Sequence, residues 1–140
     1  MRKSEKYPTT KENFDSFRRE VRYWQKKLSL NDFDIRFFHK THFNDACSSC
    51  TTLQEDKIAL MVFEKIWNGT VPNHFEIKNS GFHETMELFF DDIEELIPKN
   101  KRKRSRQLIH AKIYVLEKLL FNPSYKCRFK REPEREGDMQ

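Results

Sequence analysis

The sequence predicts a single α+β domain in which a small three-stranded sheet packs against helices. Its 140 residues suit one hydrophobic core, because domains typically hold about 100 to 150 residues. Charged residues make up 35% of the chain, yet 13 Phe, 4 Tyr and 2 Trp supply large side chains for a core. The spacing of apolar residues is first that of a helix, then the alternation typical of strands, and then again that of helices. We therefore predict one domain over residues 10–129, between disordered termini at residues 1–9 and 130–140.

The first half of the predicted domain contains one helix and three strands. Thr10 is a suitable N-cap, and apolar residues then recur every three or four positions, at Phe14, Phe17, Val21, Trp24 and Leu28. Apolar and polar residues alternate at 33–37, which predicts a half-buried strand. Two further runs, 50–53 and 58–63, flank a short polar loop and predict a hairpin. The sheet should be antiparallel or mixed.

Two more helices are expected in the second half of the chain. The first should span about 75–96 and end before Pro98, and the second should span about 105–121 and stop at Asn122-Pro123. Helical spacing predicts that both bury apolar residues: Phe82, Met86, Phe89, Ile93 and Leu96 in the first, and Ile109, Ile113, Leu116 and Leu120 in the second.

The amino-acid composition limits the cellular compartment and the kinds of binding partner that we expect. No run approaches the roughly 18 apolar residues of a membrane span, and the N-terminal residues do not form a signal peptide. Three cysteines are too few for a disulfide scaffold and fit a reducing compartment. We therefore expect a cytoplasmic protein without membrane contact. The net charge of +5 allows an acidic partner but does not require one.

The helix predicted at 75–96 carries the sequence His83-Glu84-Thr85-Met86-Glu87. His83 and Glu87 are four residues apart, so their side chains lie on one helix face about one turn from each other. This is the spacing of the His-Glu-x-x-His zinc motif, with Glu87 in place of the second histidine. In that motif the glutamate after the first ligand is a general base, so Glu84 is the catalytic candidate. The sequence predicts a zinc ion held by His83 and Glu87.

A third ligand should come from the last predicted helix. His110 and Glu117 lie seven residues apart and therefore share a face of that helix. If this helix packs on the motif helix, either residue could reach His83. We prefer His110 and keep Glu117 as the alternative.

These pieces together resemble a known family. The chain has Trp24-Gln25, then Leu30-Asn31-Asp32-Phe33-Asp34-Ile35, a polar hairpin, the motif helix, and a last helix with His110 and Leu116-Glu117. This order is similar to that of small zincin-like metallopeptidases of phages and prophages, over about residues 14–121. The resemblance implies a minimal zincin-like fold with His83, Glu87 and His110 as zinc ligands and Glu84 as base. It also implies a phage or prophage origin, with the cytoplasm of the host cell as the location.

A second group of possible zinc ligands precedes the hairpin. His39, His42, Cys47 and Cys50 lie within twelve residues, and two imidazoles with two thiolates would suit a structural zinc. Against this site, the joining segment contains no glycine to ease a tight turn. We favour the alternative of two loop histidines and two partly buried thiols.

A basic run follows the motif helix, and Lys101, Arg102, Lys103 and Arg104 are its centre. Such a run could contact nucleic-acid phosphates. We favour a different interpretation, in which it offsets the carboxylates that crowd the negative end of the preceding helix.

Two functions remain as hypotheses. The first is a zinc-dependent peptide hydrolase acting on a peptide or protein substrate. The second is a non-catalytic phage-type binding protein on the same scaffold, which engages a host protein or a nucleic-acid complex through its charged surfaces. A measurement of bound zinc in the purified protein distinguishes these two hypotheses best, because the hydrolase must bind zinc.

Overall fold

The computed structural model describes residues 5–41 and 46–129, which form a mixed α+β fold. Its strands are β1 (Lys6–Pro8), β2 (Asp34–Lys40), β3 (Ser48–Leu53), β4 (Ile58–Glu64) and β5 (Ile66–Asn68). Its helices are α1 (Lys11–Lys27), α2 (His74–Glu94), α3 (Arg102–Leu116) and α4 (Asn122–Phe129). A π-helical turn at Glu117–Phe121 joins α3 to α4. The α+β class predicted from the sequence is confirmed.

Helix α1 begins and ends as the sequence predicts. The Thr10 hydroxyl accepts a hydrogen bond from the Asn13 backbone N–H, and the Asn13 side chain accepts one from the Thr10 N–H. This reciprocal pair satisfies two donors that would otherwise lack partners at the helix start. At the other end Ser29 adopts a left-handed conformation (φ 58°), and the Leu30 N–H donates to the Gln25 carbonyl. The chain thereby turns sharply into β2.

The three-stranded sheet is mixed, with the order β2-β4-β3. Strand β4 pairs in parallel with β2 and antiparallel with β3, and the β3–β4 hairpin matches the predicted one. Within the described residues, β2 and β3 are the edge strands.

A second, two-stranded sheet was not expected. Strand β1 pairs antiparallel with β5, and Tyr7 lies opposite Trp67. The prediction of disorder is therefore wrong for residues 6–8, which form β1. The fully buried Trp67 side chain gives this short pair a hydrophobic anchor. Residues 1–4 and the predicted tail at 130–140 lie outside the described residues.

The core lies between one face of the sheet and helices α1 and α2. One cluster joins Phe17 and Val21 of α1 to Met61 and Phe63 of β4. A second cluster joins the α1, α2 and α3 helices through Trp24, Phe82, Met86, Ile113 and Phe121. Gly81 allows α1 and α2 to approach closely, because a Cβ atom at this position would lie 2.9 Å from the Glu20 Cβ.

The C-terminal helix differs from the prediction in its length and in its buried face. It was expected to stop at Asn122-Pro123, but α4 continues through Pro123 to Phe129. The π-helical turn lies directly before Pro123 and locally replaces the α-helical hydrogen-bond pattern that proline breaks. Ile93, Leu96 and Leu120 were expected to be buried and are 43%, 85% and 42% exposed. The first two lie at or beyond the end of α2, and Leu120 lies within the π-helical turn, which shifts the helix face.

Among the residues that the structure describes, no helix has the length and apolar character needed to cross a bilayer.

Candidate metal site

The side chain of His83 lies between two carboxylates. Its Nε2 atom is 2.9 Å from Oε2 of Glu87, one turn along α2. Its Nδ1 atom is 2.9 Å from Oε2 of Glu117, in the π-helical turn. Both ring nitrogens are thus engaged, and the side chains of all three residues are less than a third exposed. The imidazole is held in one orientation by two different helical segments.

His110 of α3 completes a cluster with His83 and Glu87. One potential ligand atom from each of these three residues lies within 4.8 Å of the others. The Nδ1 atom of His110 is 3.9 Å from Oε2 of Glu87, and the two imidazole centroids are 6.1 Å apart. Packing of α3 against α2 therefore brings the three predicted zinc ligands together. Within residues 5–41 and 46–129 this is the one such group of three.

The donor set fits zinc with a small adjustment. Ligand distances near 2.1 Å and tetrahedral angles place neighbouring donor atoms about 3.4 Å apart. The His83–Glu87 separation of 2.9 Å must open slightly. The His110 ring must move inward, which its 48% exposed side chain leaves room to do. Two imidazoles and one carboxylate match the ligands of catalytic zinc sites, which keep one position open.

Glu117 contacts a different face of the cluster from His110. Its carboxylate contacts Nδ1 of His83, whereas Glu87 contacts Nε2 on the opposite side of the ring. A histidine that binds a metal through one nitrogen usually donates its other N–H to a carboxylate or carbonyl. Glu117 lies where such a supporting carboxylate would lie, and His110 is the third member of the possible ligand group.

The two carboxylates change the proton affinity of His83. Burial by itself would lower the pKa of this imidazole. Hydrogen bonds to Glu117 and Glu87, together with the nearby negative charge of Glu84, outweigh burial and raise the pKa to about 10. Without a metal ion the ring is therefore a cation at neutral pH, and any metal ion must displace the proton on Nε2.

Glu84, the candidate base, lies one residue further along α2 and points toward the sheet. Its side chain is almost fully buried, and its Oε2 atom accepts a hydrogen bond of 2.6 Å from the Ser48 hydroxyl on β3. Burial, followed by the charge of Glu87, raises the pKa of this carboxyl group above its ordinary value. The Oε1 atom is buried and has no hydrogen-bond partner among the described residues. An unpaired buried oxygen is costly and can be satisfied by a water molecule.

A cavity of about 270 Å³ adjoins the cluster. The edge strand β3 forms one wall, and α2 and α3 form the others. Its polar lining includes Cys50, Thr51, Glu87, Asp91 and His110. Two of the three potential ligands, Glu87 and His110, therefore border a space next to the edge strand β3.

The second possible zinc site, which the sequence did not favour, is not formed among the described residues. His42 lies outside the described residues. The imidazole of His39 stacks on Phe14 with centroids 4.9 Å apart, and its Nε2 atom is 2.8 Å from the Thr9 hydroxyl. Cys47 and Cys50 pack against the core, where burial raises the pKa of both thiols. His39, Cys47 and Cys50 do not form a ligand group in the described part of the chain.

The basic run interacts in part with the end of α2. Arg106 forms ion pairs with Asp91 and Glu94, and Arg102 pairs with Glu95. These contacts support the interpretation that this run offsets the carboxylates of α2. Three of the four nucleic-acid candidates are exposed, namely Lys101, Lys103 and Arg104.

Sequence reasoning missed the hydrogen-bond partner of Glu84 and the contact between Glu117 and Nδ1 of His83. Nothing in the sequence distinguishes Ser48 from its neighbours, because its role depends on how β3 packs against α2. For Glu117 a signal existed in the seven-residue spacing from His110, but that spacing did not show which nitrogen of His83 it would face.

Comparison of the chain with protein-family models, curated proteins and solved structures finds no match.

Proposed function

We propose that this protein binds a zinc ion through His83, Glu87 and His110 and acts as a zincin-like peptide hydrolase. The observation that carries the proposal is the convergence of three potential ligand atoms, from two helices, within 4.8 Å of one another. Residues 83 and 110 are far apart in sequence, so local helix geometry alone does not account for their proximity. A phage or prophage origin belongs to the same proposal and is supported by the order of sequence motifs.

The surroundings of the ligands support a metal rather than a simple ion pair. A protonated His83 between Glu87 and Glu117 would already form a stable charged group without metal. That group does not require His110, which nevertheless lies 3.9 Å from the same Glu87 oxygen. A second imidazole beside a carboxylate that already has a partner is explained by a shared cation.

The remaining groups suit hydrolysis of an amide bond. Bound zinc would supply Lewis acidity toward a water molecule and a substrate carbonyl. Glu84 would accept a proton, because its elevated pKa brings it closer to neutral pH and its Oε1 atom has no hydrogen-bond partner in the described part of the chain. An extended peptide could pair with the edge of β3, which borders the cavity beside His110.

The second candidate function is a non-catalytic binding protein on the same scaffold. The environment of Glu84 favours this second function, because the side chain is only 4% exposed and accepts a hydrogen bond from the Ser48 hydroxyl. A carboxylate held in this way stabilises the packing of α2 on β3 whether or not it meets a substrate. In this case the protein would engage a host protein, or less favourably a nucleic-acid complex, and its zinc would be structural.

Zinc content tests the proposal first. We expect about one zinc per chain in protein purified without chelator or nickel resin, and loss of that zinc in His83→Ala and His110→Ala. His74→Ala is the matched control, because His74 lies at the start of the same helix and contacts Tyr125 and Phe129 instead. Equal zinc content in His83→Ala and His74→Ala would refute the site. If zinc-loaded wild-type protein cleaves no member of a mixed peptide library, the hydrolase is refuted and the non-catalytic binding function remains.

A further inference from the structure

The outward face of α1 forms one wall of a basic groove, away from the candidate metal site. The groove has a volume of about 870 Å³ and continues to Phe37 on the edge strand β2. Five basic side chains line it, against a single carboxylate, that of Asp15. The basic residues are Arg18, Arg19, Arg22, Lys26 and Lys27.

Among the described residues, most of this positive charge has no carboxylate partner. Asp15 pairs with Arg18. In the described part of the chain, Arg19, Arg22 and Lys26 form no ion pair with a carboxylate. All three are exposed. Holding several unpaired cations along one groove costs electrostatic energy, which an anionic partner would recover.

The spacing of these cations is regular. Arg18, Arg22 and Lys26 follow each other at intervals of four residues, so they lie along one helix face about 6 Å apart. A regular ladder of this kind suits a polymer that carries one negative charge on every unit.

Aromatic rings accompany the cations. The Arg22 guanidinium lies 5.0 Å from the Phe37 ring centroid, and the Lys27 ammonium lies 5.6 Å from that of Tyr23. Surfaces that combine cations with aromatic rings are typical of single-stranded nucleic-acid binding, because the rings stack with bases while the cations contact phosphates. A groove between one helix and one strand edge admits a single chain more readily than a duplex.

We infer that this groove binds the backbone of single-stranded nucleic acid. It shares no residue with the His83–Glu87–His110 cluster, and the inference does not depend on zinc. It also differs from the sequence prediction of nucleic-acid contacts at Lys101–Arg104, which lies after α2.

Two triple variants with equal charge change test the inference. The probe is a fluorescein-labelled oligothymidylate of 20 nucleotides, and its anisotropy is followed from 50 to 200 mM NaCl. We expect Arg19→Gln/Arg22→Gln/Lys26→Gln to weaken binding at least about tenfold and to reduce the salt slope by about 2, as expected for three lost phosphate contacts. The control Lys101→Gln/Lys103→Gln/Arg104→Gln should stay within about threefold of wild type. Because the substituted side chains are exposed, both variants should keep the wild-type thermal unfolding curve.

Several outcomes would overturn the inference. They are absence of wild-type binding at 50 mM NaCl, binding that does not depend on salt, and equal weakening in both triple variants, which would reflect net charge alone. Loss of binding only in the control variant would assign the contact to residues 101–104. The inference would also be overturned if polyglutamate or duplex DNA competed as strongly as unlabelled oligothymidylate. The groove would then bind an acidic protein or a duplex rather than a single strand.

Discussion

Glu117 accepts a hydrogen bond of 2.9 Å from Nδ1 of His83. This contact joins the motif helix α2 to the π-helical turn that follows α3, 34 residues later in the chain. It fixes the imidazole so that Nε2 faces Glu87 and the His110 side of the cluster. Glu117, which the sequence offered as an alternative ligand, therefore contacts the ring of His83 on the side opposite Glu87.

The supporting role of Glu117 predicts the effect of Glu117→Gln on metal affinity. Glutamine keeps the size of the side chain but removes the charge that strengthens His83 as a ligand. We expect zinc affinity to fall about 10- to 100-fold while the stoichiometry stays at one. Competition with a chromogenic chelator measures this. Glu95→Gln, at the end of α2, is the control and should keep wild-type affinity, and equal affinity in both variants would contradict the role of Glu117.

The titration of His83 provides a prediction for the metal-free protein. Its pKa should be about 10, because the two carboxylate hydrogen bonds outweigh the effect of burial. Since the folded pKa is raised, the interaction stabilises the fold fully below the unfolded pKa of about 6.5, and this contribution is lost as the pH rises through about 10. His39 and His74 should titrate below 6.5, because burial lowers the pKa of each. Histidine ring resonances in NMR spectra, assigned with His→Gln variants, test the order, and a His83 pKa below those of His39 and His74 would contradict it.

The variant Glu84→Gln separates catalysis from a structural role. In a hydrolase, it should keep the fold and the zinc but lower turnover by about 10² to 10⁴, because the proton acceptor is lost. The measurement pairs zinc content with cleavage of a peptide library. Ser48→Ala is the companion variant, because it removes the hydrogen bond to Glu84 but leaves the carboxylate. Full activity of Glu84→Gln would exclude Glu84 as the base.

Away from the candidate metal site, we expect the stability of the fold to depend most on the ion pair between Arg128 and Glu20. Both guanidinium Nη atoms of Arg128 contact the carboxylate of Glu20, at 3.0 and 2.6 Å, and the Trp24 indole N–H donates to the same group at 2.7 Å. Glu20 is 1% exposed, so Arg128→Ala leaves a buried carboxylate that keeps the Trp24 N–H but, among the described residues, has the Lys78 ammonium at 3.9 Å as its nearest remaining cation. We expect a loss of about 3 kcal/mol in the free energy of unfolding. Urea denaturation tests this, with exposed Arg104→Ala as a control that should stay within about 0.5 kcal/mol.

Elements with a clear apolar period could be predicted from the sequence. The stripe from Phe14 to Leu28 and the capping pair of Thr10 and Asn13 specify α1 locally, and the alternation at 33–37 specifies β2. Strand β1 could not be predicted, because Lys6–Pro8 has no pattern of its own and pairs with a distant strand. The continuation through Pro123 was missed because the π-helical turn that accommodates proline has no sequence signal.

The candidate site was predicted in part. The four-residue spacing of His83 and Glu87 is a property of one helix and can be recognised in the sequence. The approach of His110 depends on the packing of α3 against α2, which the shared apolar faces indicate. The choice between His110 and Glu117 depends on which side of the imidazole each reaches, and no spacing rule encodes that.

Crystallography of zinc-soaked protein at the zinc absorption edge tests the central claim most directly. We predict one anomalous difference peak about 2.0 to 2.2 Å from a nitrogen of His83, a nitrogen of His110 and an oxygen of Glu87. Glu117 should remain hydrogen-bonded to Nδ1 of His83. A map with no peak between these three side chains, or with the only peak near His39 and Cys47, would contradict the account.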